Sequence, residues 1–147
     1  MPKAEITHYK YIKQTLEMAY DNIQAGGRPF AAIIVHNDVV IATACNEINH
    51  SHNPIDHAEF LALKRAFKAL KKPDLSQCTL YASGQPCNFC LAAMSLYGIT
   101  RAYYGYSSTD WRSVATPLPL SNVNTMELNP NDGAQLYHYW QKHNQKQ

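Results

Sequence analysis

A chain of 147 residues, 46% hydrophobic and 16% charged, has enough apolar surface to bury a core and too little charge for a disordered segment. Its formal net charge of +2 is too small to predict a nucleic-acid partner, and no apolar run approaches membrane-spanning length. Residues 1–147 therefore read as one domain. Met1-Pro2-Lys3-Ala4-Glu5 leads into a polar helical pattern rather than the apolar segment of a signal peptide, so the expectation is a cytoplasmic protein. In that compartment the four cysteines stay reduced, and a close pair points to metal or redox chemistry rather than a structural disulfide.

Tyr9, Ile12, Leu16, Ala19, Tyr20 and Ile23 recur at helical spacing and predict a first helix over about residues 7–25. Gly26-Gly27-Arg28-Pro29 stops it. Two apolar, partly β-branched runs, 30–36 and 39–45, flank the turn signal Asn37-Asp38 and predict a β-hairpin. Asn46 follows at a strand end, where α/β folds place ligand contacts. A polar loop over 49–56 leads into a helix over about 56–72, stopped by Pro73. Phe60, Leu63, Phe67 and Leu70 are its expected buried stripe, and Lys64, Lys68, Lys71 and Lys72 its opposite face.

A strand is predicted over 79–83. Pro86 suits the first turn of a helix that carries Cys87, Cys90, Leu91, Met94 and Tyr97 and is closed by Gly98. A tyrosine-rich strand follows at 101–106. From 107 to 132, Pro117, Pro119 and Pro130 break the pattern, leaving loop with a short strand near 126–128. A last helix over 134–143 carries Leu136, Tyr137 and Trp140. Strands alternating with helices suggest a sheet covered on both faces.

Two short stretches carry chemistry: His57-Ala58-Glu59 and Pro86-Cys87-Asn88-Phe89-Cys90. Cys87 and Cys90 lie one helical turn apart near a helix N-terminus, whose partial positive charge favours thiolates. His57 begins another helix. Side by side, the two helices would bring one imidazole and two thiolates together as a three-ligand zinc site. Its open fourth position suits a water, whose pKa such a metal lowers to about 7. Glu59 points elsewhere on the first helical turn and can move protons without ligating metal.

Blander readings of these residues carry less. A redox disulfide at Cys87 and Cys90 would leave His57 and Glu59 without a role. A structural zinc site needs a fourth protein ligand, and Cys45 and Cys78 read as small core residues at strand ends. Asp56-His57-Ala58-Glu59 taken alone matches a capping box, and Asn46 taken alone is as good a turn residue as a ligand. His50 and His52 lie in a polar loop, and the lysine face reads as solvated. Tyr137, Tyr139 and Trp140 read as packing residues rather than a lid.

His-x-Glu followed by Pro-Cys-x-x-Cys is the signature of zinc nucleobase deaminases. On these residues the chain resembles the cytidine and deoxycytidylate deaminase superfamily. Within it the likeness is greatest to the branch of bacterial guanine deaminases, tRNA adenosine deaminases and fungal-type cytosine deaminases, over roughly residues 27–110. The resemblance implies an α/β fold, a three-layer α/β/α sandwich with a central mixed sheet of about five strands. It implies Zn2+ held by His57, Cys87 and Cys90, with Glu59 as the catalytic proton shuttle. It also implies Asn46 as a base-contacting amide, Phe30 as a pocket aromatic, and backbone near Ala58 and Ser83 as pocket walls. Relatives in this branch are usually homodimers.

The sequence departs from that pattern at named places. Gln85 stands where relatives commonly have Glu, and Phe89 where they often have Met. Thr109-Asp110 is kept, which makes Asp110 a candidate substrate contact. Residues 111–131 hold one acidic residue, Glu127, at a position unmatched to the acidic residue by which guanine deaminases read the purine. The expectation is zinc-dependent hydrolytic deamination of an amino-substituted nucleobase or nucleoside, with a free purine or related ring favoured.

Two rivals stand beside it. A tRNA adenosine deaminase should surround its pocket with stacking aromatics and a basic surface. Here residues 138–147 offer only Lys142 and Lys146 as fixed positive charges. The other rival is a catalytically silent deaminase-like domain kept for binding.

Overall fold

In the computed structural model, which describes residues 3–71, 74–107, 123–128 and 133–144, ten elements follow in order. They are α1 (Lys3–Gln24), β1 (Ala31–His36), β2 (Val39–Cys45), α2 (Ile48–Ser51), α3 (Ala58–Leu70), β3 (Cys78–Gly84), α4 (Asn88–Leu96), β4 (Arg101–Tyr106), β5 (Asn124–Glu127) and α5 (Gly133–Asn144). Asp110, Pro117, Pro119 and Pro130 lie outside the described residues, as do Lys72 and Pro73.

The strands form one mixed sheet in the order β2-β1-β3-β4-β5. β1 pairs antiparallel with β2 and β3, while β3–β4 and β4–β5 are parallel. The β1–β2 hairpin turns on Asn37 and Asp38, both at positive φ, the conformation a two-residue hairpin loop requires. Asparagine and aspartate tolerate it better than other non-glycine residues.

Alternation along the strands divides the core in two. Ala32, Ile34, Leu80, Ala82 and Ala102 face one side, where α3 and α4 pack. Ala31, Ile33, Val35, Tyr81 and Tyr103 face the other, against Ile12, Leu16, Ala19 and Ile23 of α1, with Leu136 of α5. Helices on both faces of the sheet make this a three-layer α/β/α sandwich. Among the described residues no helix is long and apolar enough to cross a membrane.

Gly105 of β4 lies under α1 with no room for a side chain. A Cβ there would stand 2.9 Å from the backbone oxygen of Ser83 and 3.2 Å from Ile12 of α1. Backbone cannot give way as a side chain can. Gly105→Ala is therefore expected to cost about 1–3 kcal/mol by overpacking. The check is a lower urea midpoint with an unchanged m-value.

Three expectations are corrected in detail. Residues 49–56 contain a one-turn helix, α2, where loop is predicted. It is too short to leave a periodicity, and Ser51 and His50 simply donate their N–H groups to the Glu47 carbonyl. The buried side of α3 is Ala58, Leu61, Ala62, Leu63 and Ala66, so of the predicted stripe only Leu63 is fully inside and Phe67 is 38% exposed. Small residues let α3 lie close on β1 and β2, which turns the phenylalanines to the rim. Tyr20 of the predicted α1 stripe is likewise exposed, and its ring meets Tyr139 of α5 at 5.1 Å.

Candidate active site

The sheet topology brings distant segments to one edge. Ala31 at the start of β1 pairs with Cys45 at the end of β2, and Ala32 with Ala82 near the end of β3. The chain leaves β2 toward α3 and leaves β3 toward α4, so both helices begin at this edge, outside the carboxyl end of β3.

His57 is the N-cap of α3 and Cys87 the N-cap of α4, each with extended backbone. Cys90 follows in the first turn of α4 and is buried. His57 Nδ1 lies 3.5 Å from Cys87 Sγ and 3.5 Å from Cys90 Sγ. All three donor atoms fall within 4.8 Å of one another. Bonds of about 2.1 Å to nitrogen and about 2.3 Å to sulfur, meeting at a tetrahedral angle, set ligand atoms roughly 3.6 Å apart. The donor set and its spacing therefore fit a zinc ion. Phe89 braces the arrangement: its ring meets His57 edge-on at 5.8 Å and Phe60 at 5.3 Å.

The two sulfurs shift one another's acidity in opposite directions. The Cys87 thiol is held down to about 3, first by its hydrogen bond with Cys90 and then by His57. Cys90 is pushed up, first by that same hydrogen bond, then by burial and by the charge of Glu59. Two helix N-termini converging here favour the thiolate further.

Glu59 is 1% exposed and belongs to the first turn of α3, beside but not within the three-donor cluster. The capping-box alternative does not form. His57 rather than Asp56 takes the N-cap position, with no side-chain cap bond.

A small cavity opens over this group, lined by Arg28, Phe30, Asn46, Ile48, His57, Ala58 and Glu59. Asn46 is buried, and its Oδ1 accepts the Ile48 N–H at 3.0 Å while its backbone carbonyl accepts from Asn22 Nδ2 at 3.0 Å. It is thus both the turn residue at the start of α2 and a wall of the cavity. Because Oδ1 is engaged with backbone, the amide is oriented by the fold.

Ser83 is buried, but its hydroxyl accepts from the Ala31 N–H at 3.0 Å and donates to the Pro29 carbonyl at 3.4 Å, so its side chain ties β3 to the start of β1. Arg28 and Ile48 in the cavity wall went unnoticed in the sequence. The signal for Arg28 was its place directly before Pro29-Phe30. Tyr139 and Trp140 of α5 lie elsewhere: Tyr139 accepts a hydrogen bond from Gln24 of α1, and Trp140 packs on the α1 side of the sheet; the side chain of Tyr137 lies outside the described ones. Gln85 is exposed at the end of β3.

The chain is similar to known proteins in sequence and in fold. The sequence matches the MafB19-like deaminase family over residues 6–135. It is similar to the guanine deaminase of Bacillus subtilis, with 34% identity over 106 residues, 71% of this chain and 68% of that protein. It is also similar to the tRNA-specific adenosine deaminase of Buchnera aphidicola, with 33% identity over 100 residues, 68% of this chain and 66% of that protein. Among solved structures, the guanine deaminase from Nitrosomonas europaea superposes with a TM-score of 0.77 at 25% identity, covering 89% of this chain and 82% of that one.

Proposed function

The chain belongs to the MafB19-like deaminase family, and we propose that it is a zinc-dependent hydrolase that removes an amino group from a nucleobase-like ring as ammonia. The favoured substrate is a free purine or a related amino-heterocycle. The observation that carries this reading is the meeting of His57, Cys87 and Cys90 within 4.8 Å, with the buried Glu59 carboxyl in the same cavity.

His57, Cys87 and Cys90 would hold the zinc. Bound there, the ion supplies a Lewis acid that brings the pKa of water near 7. Two thiolates, a neutral imidazole and Zn2+ sum to zero charge, so Glu59 is the charged group the reaction uses. Its carboxylate takes a proton from water and delivers it to the ring nitrogen beside the amine-bearing carbon. It then passes the second proton to the departing amine. Water adds across the ring C=N bond, the C–NH2 bond breaks, and the ring is left with a carbonyl and one ammonia. Phe30 and Ile48 exclude solvent from the ring faces, and the Asn46 amide orients the ring edge.

A panel of free bases and nucleosides, assayed for ammonia with zinc-loaded protein, tests this. Release is expected from at least one free amino-purine, faster than from its nucleoside. Zinc-loaded protein that releases ammonia from no base, nucleoside or RNA would leave the silent binding domain as the reading.

A second reading, A-to-I deamination of tRNA, draws on the similarity to the tRNA-specific adenosine deaminase and on the exposed Lys64 and Lys68 of α3 with Lys71 at its C-terminal end. Inosine formation in an anticodon stem-loop, with RNA binding that weakens steeply with salt, would favour it. An assembly of two copies belongs to either reading. The outward Phe67, Phe89 and Leu96 of α3 and α4, 38%, 40% and 87% exposed, support it as an apolar contact surface.

A further inference from the structure

The cavity over His57 and Glu59 carries a cation that the deamination chemistry leaves unused. Arg28 lines it together with Phe30, Asn46 and Ile48. Both ends of the residue are fixed. Its carbonyl accepts from the Phe30 N–H at 2.8 Å and from Asn22 Nδ2 at 2.8 Å. Its Nε donates to Asn49 Oδ1 at 3.1 Å, and Asn49 is itself anchored through Nδ2 on the Gly26 carbonyl at 3.0 Å.

A guanidinium has five N–H donors. One is spent on Asn49. The others, on Nη1 and Nη2, meet no acceptor and no carboxylate among the described residues. A half-buried, pre-oriented fork next to the apolar walls of Phe30 and Ile48 is suited to oxygen acceptors, which it can take in a bidentate fashion.

We propose that Arg28 is a recognition residue: its Nη edge takes an acceptor oxygen carried by the substrate, so the site selects oxygen-bearing amino-heterocycles over rings with nitrogen substituents alone. The oxygen is either a ring carbonyl or a phosphate on an attached sugar. This inference rests on the deaminase reading above for the orientation of the ring. Its test is arranged to fail separately.

Binding is measured by calorimetry on zinc-loaded Glu59→Ala protein, which does not consume its ligand. Guanine and 2-aminopurine share the amine and differ by the ring oxygen. Guanosine 5′-monophosphate and guanosine differ by the phosphate. Arg28→Met is expected to weaken guanine roughly tenfold or more, the scale of a lost charge-assisted hydrogen bond, and 2-aminopurine less than twofold. Arg28→Lys should recover part of the loss, since it keeps the charge without the fork.

Loss confined to the nucleotide of the second pair also supports the assignment and identifies the oxygen as phosphate. Equal weakening of both members of each pair, or of neither, overturns it. So does the absence of measurable binding by any of the four. With Glu59 intact, Arg28→Met should raise KM and leave kcat within about threefold, as loss of uniform binding does. The expected binding pattern without any ammonia release would sink the deaminase reading and leave Arg28 as a ligand-recognition residue.

Discussion

Replacement of Glu59 by alanine is expected to lower ammonia release by roughly 10²–10⁴-fold, the range that a positioned general acid–base supplies, while zinc stays near one ion per chain. Both halves of that expectation come from position. Glu59 shares the cavity with His57 but is not one of the three donors, so removing it should spare the metal. It follows His57 by two residues in the first turn of α3, near the helix end that favours an anion.

Its burial explains why a merely structural account falls short. A carboxylate 1% exposed costs stability unless it is hydrogen-bonded or its charge is used, and the charge of Glu59 acts on Cys90, whose thiol it pushes up. Glu59→Ala should melt within a few degrees of the parent protein, since residues kept for activity commonly add little stability. Glu59→Gln keeps the shape and loses the proton shuttle, so it should be as inactive as the alanine variant. Turnover retained in either variant would end the mechanism. A large fall in melting temperature would make Glu59 a structural residue instead.

His57→Ala acts on the other half of the site. Zinc content is expected to fall from about one per chain to a small fraction of that after desalting, and activity with it, because two sulfurs alone leave a three-ligand site incomplete. A metal that binds only the folded chain stabilises it by RT ln(1 + [L]/Kd), about 4 kcal/mol at a thousandfold excess over Kd. A chelator should thus lower the melting temperature of the parent protein and leave that of His57→Ala unmoved. Full zinc occupancy in His57→Ala would show that the ligand set is wrong.

The state of the sulfurs adds a pH dependence. The Cys90 thiol is pushed up by its hydrogen bond with Cys87, by burial and by Glu59, which favours the form that keeps its proton. Metal binding must expel that proton, so zinc affinity should weaken as pH falls. Zinc titrations at two pH values would read the proton release directly.

Much of this molecule could be read from the chain before any coordinates. The hairpin around Asn37-Asp38, the strand at 101–106 and the helices that begin near His57 and Cys87 all announce themselves through local chemistry: turn residues, β-branched runs, a proline at a first helical turn. The same holds for His57, Glu59, Cys87 and Cys90 as candidates. Their spacing within each stretch already constrains which atoms can face one ion, because a helical turn has a fixed pitch.

Tertiary structure alone decided three matters. It turned α3 so that Ala58, Ala62 and Ala66 rather than Phe67 meet the sheet, a choice set by how closely the helix can approach β1 and β2. It gathered Arg28 of the α1–β1 connection with Asn46, Ile48 and His57 of the β2–α3 connection, because the pairing of β1 with β2 brings those two connections to one edge. It sent Tyr139 and Trp140 to α1, on the sheet face opposite α3 and α4. Periodicity reports that a residue is apolar, or that two share a helix face. It carries no information about which distant segment lies opposite, since that depends on contacts across long separations whose partners the sheet order selects.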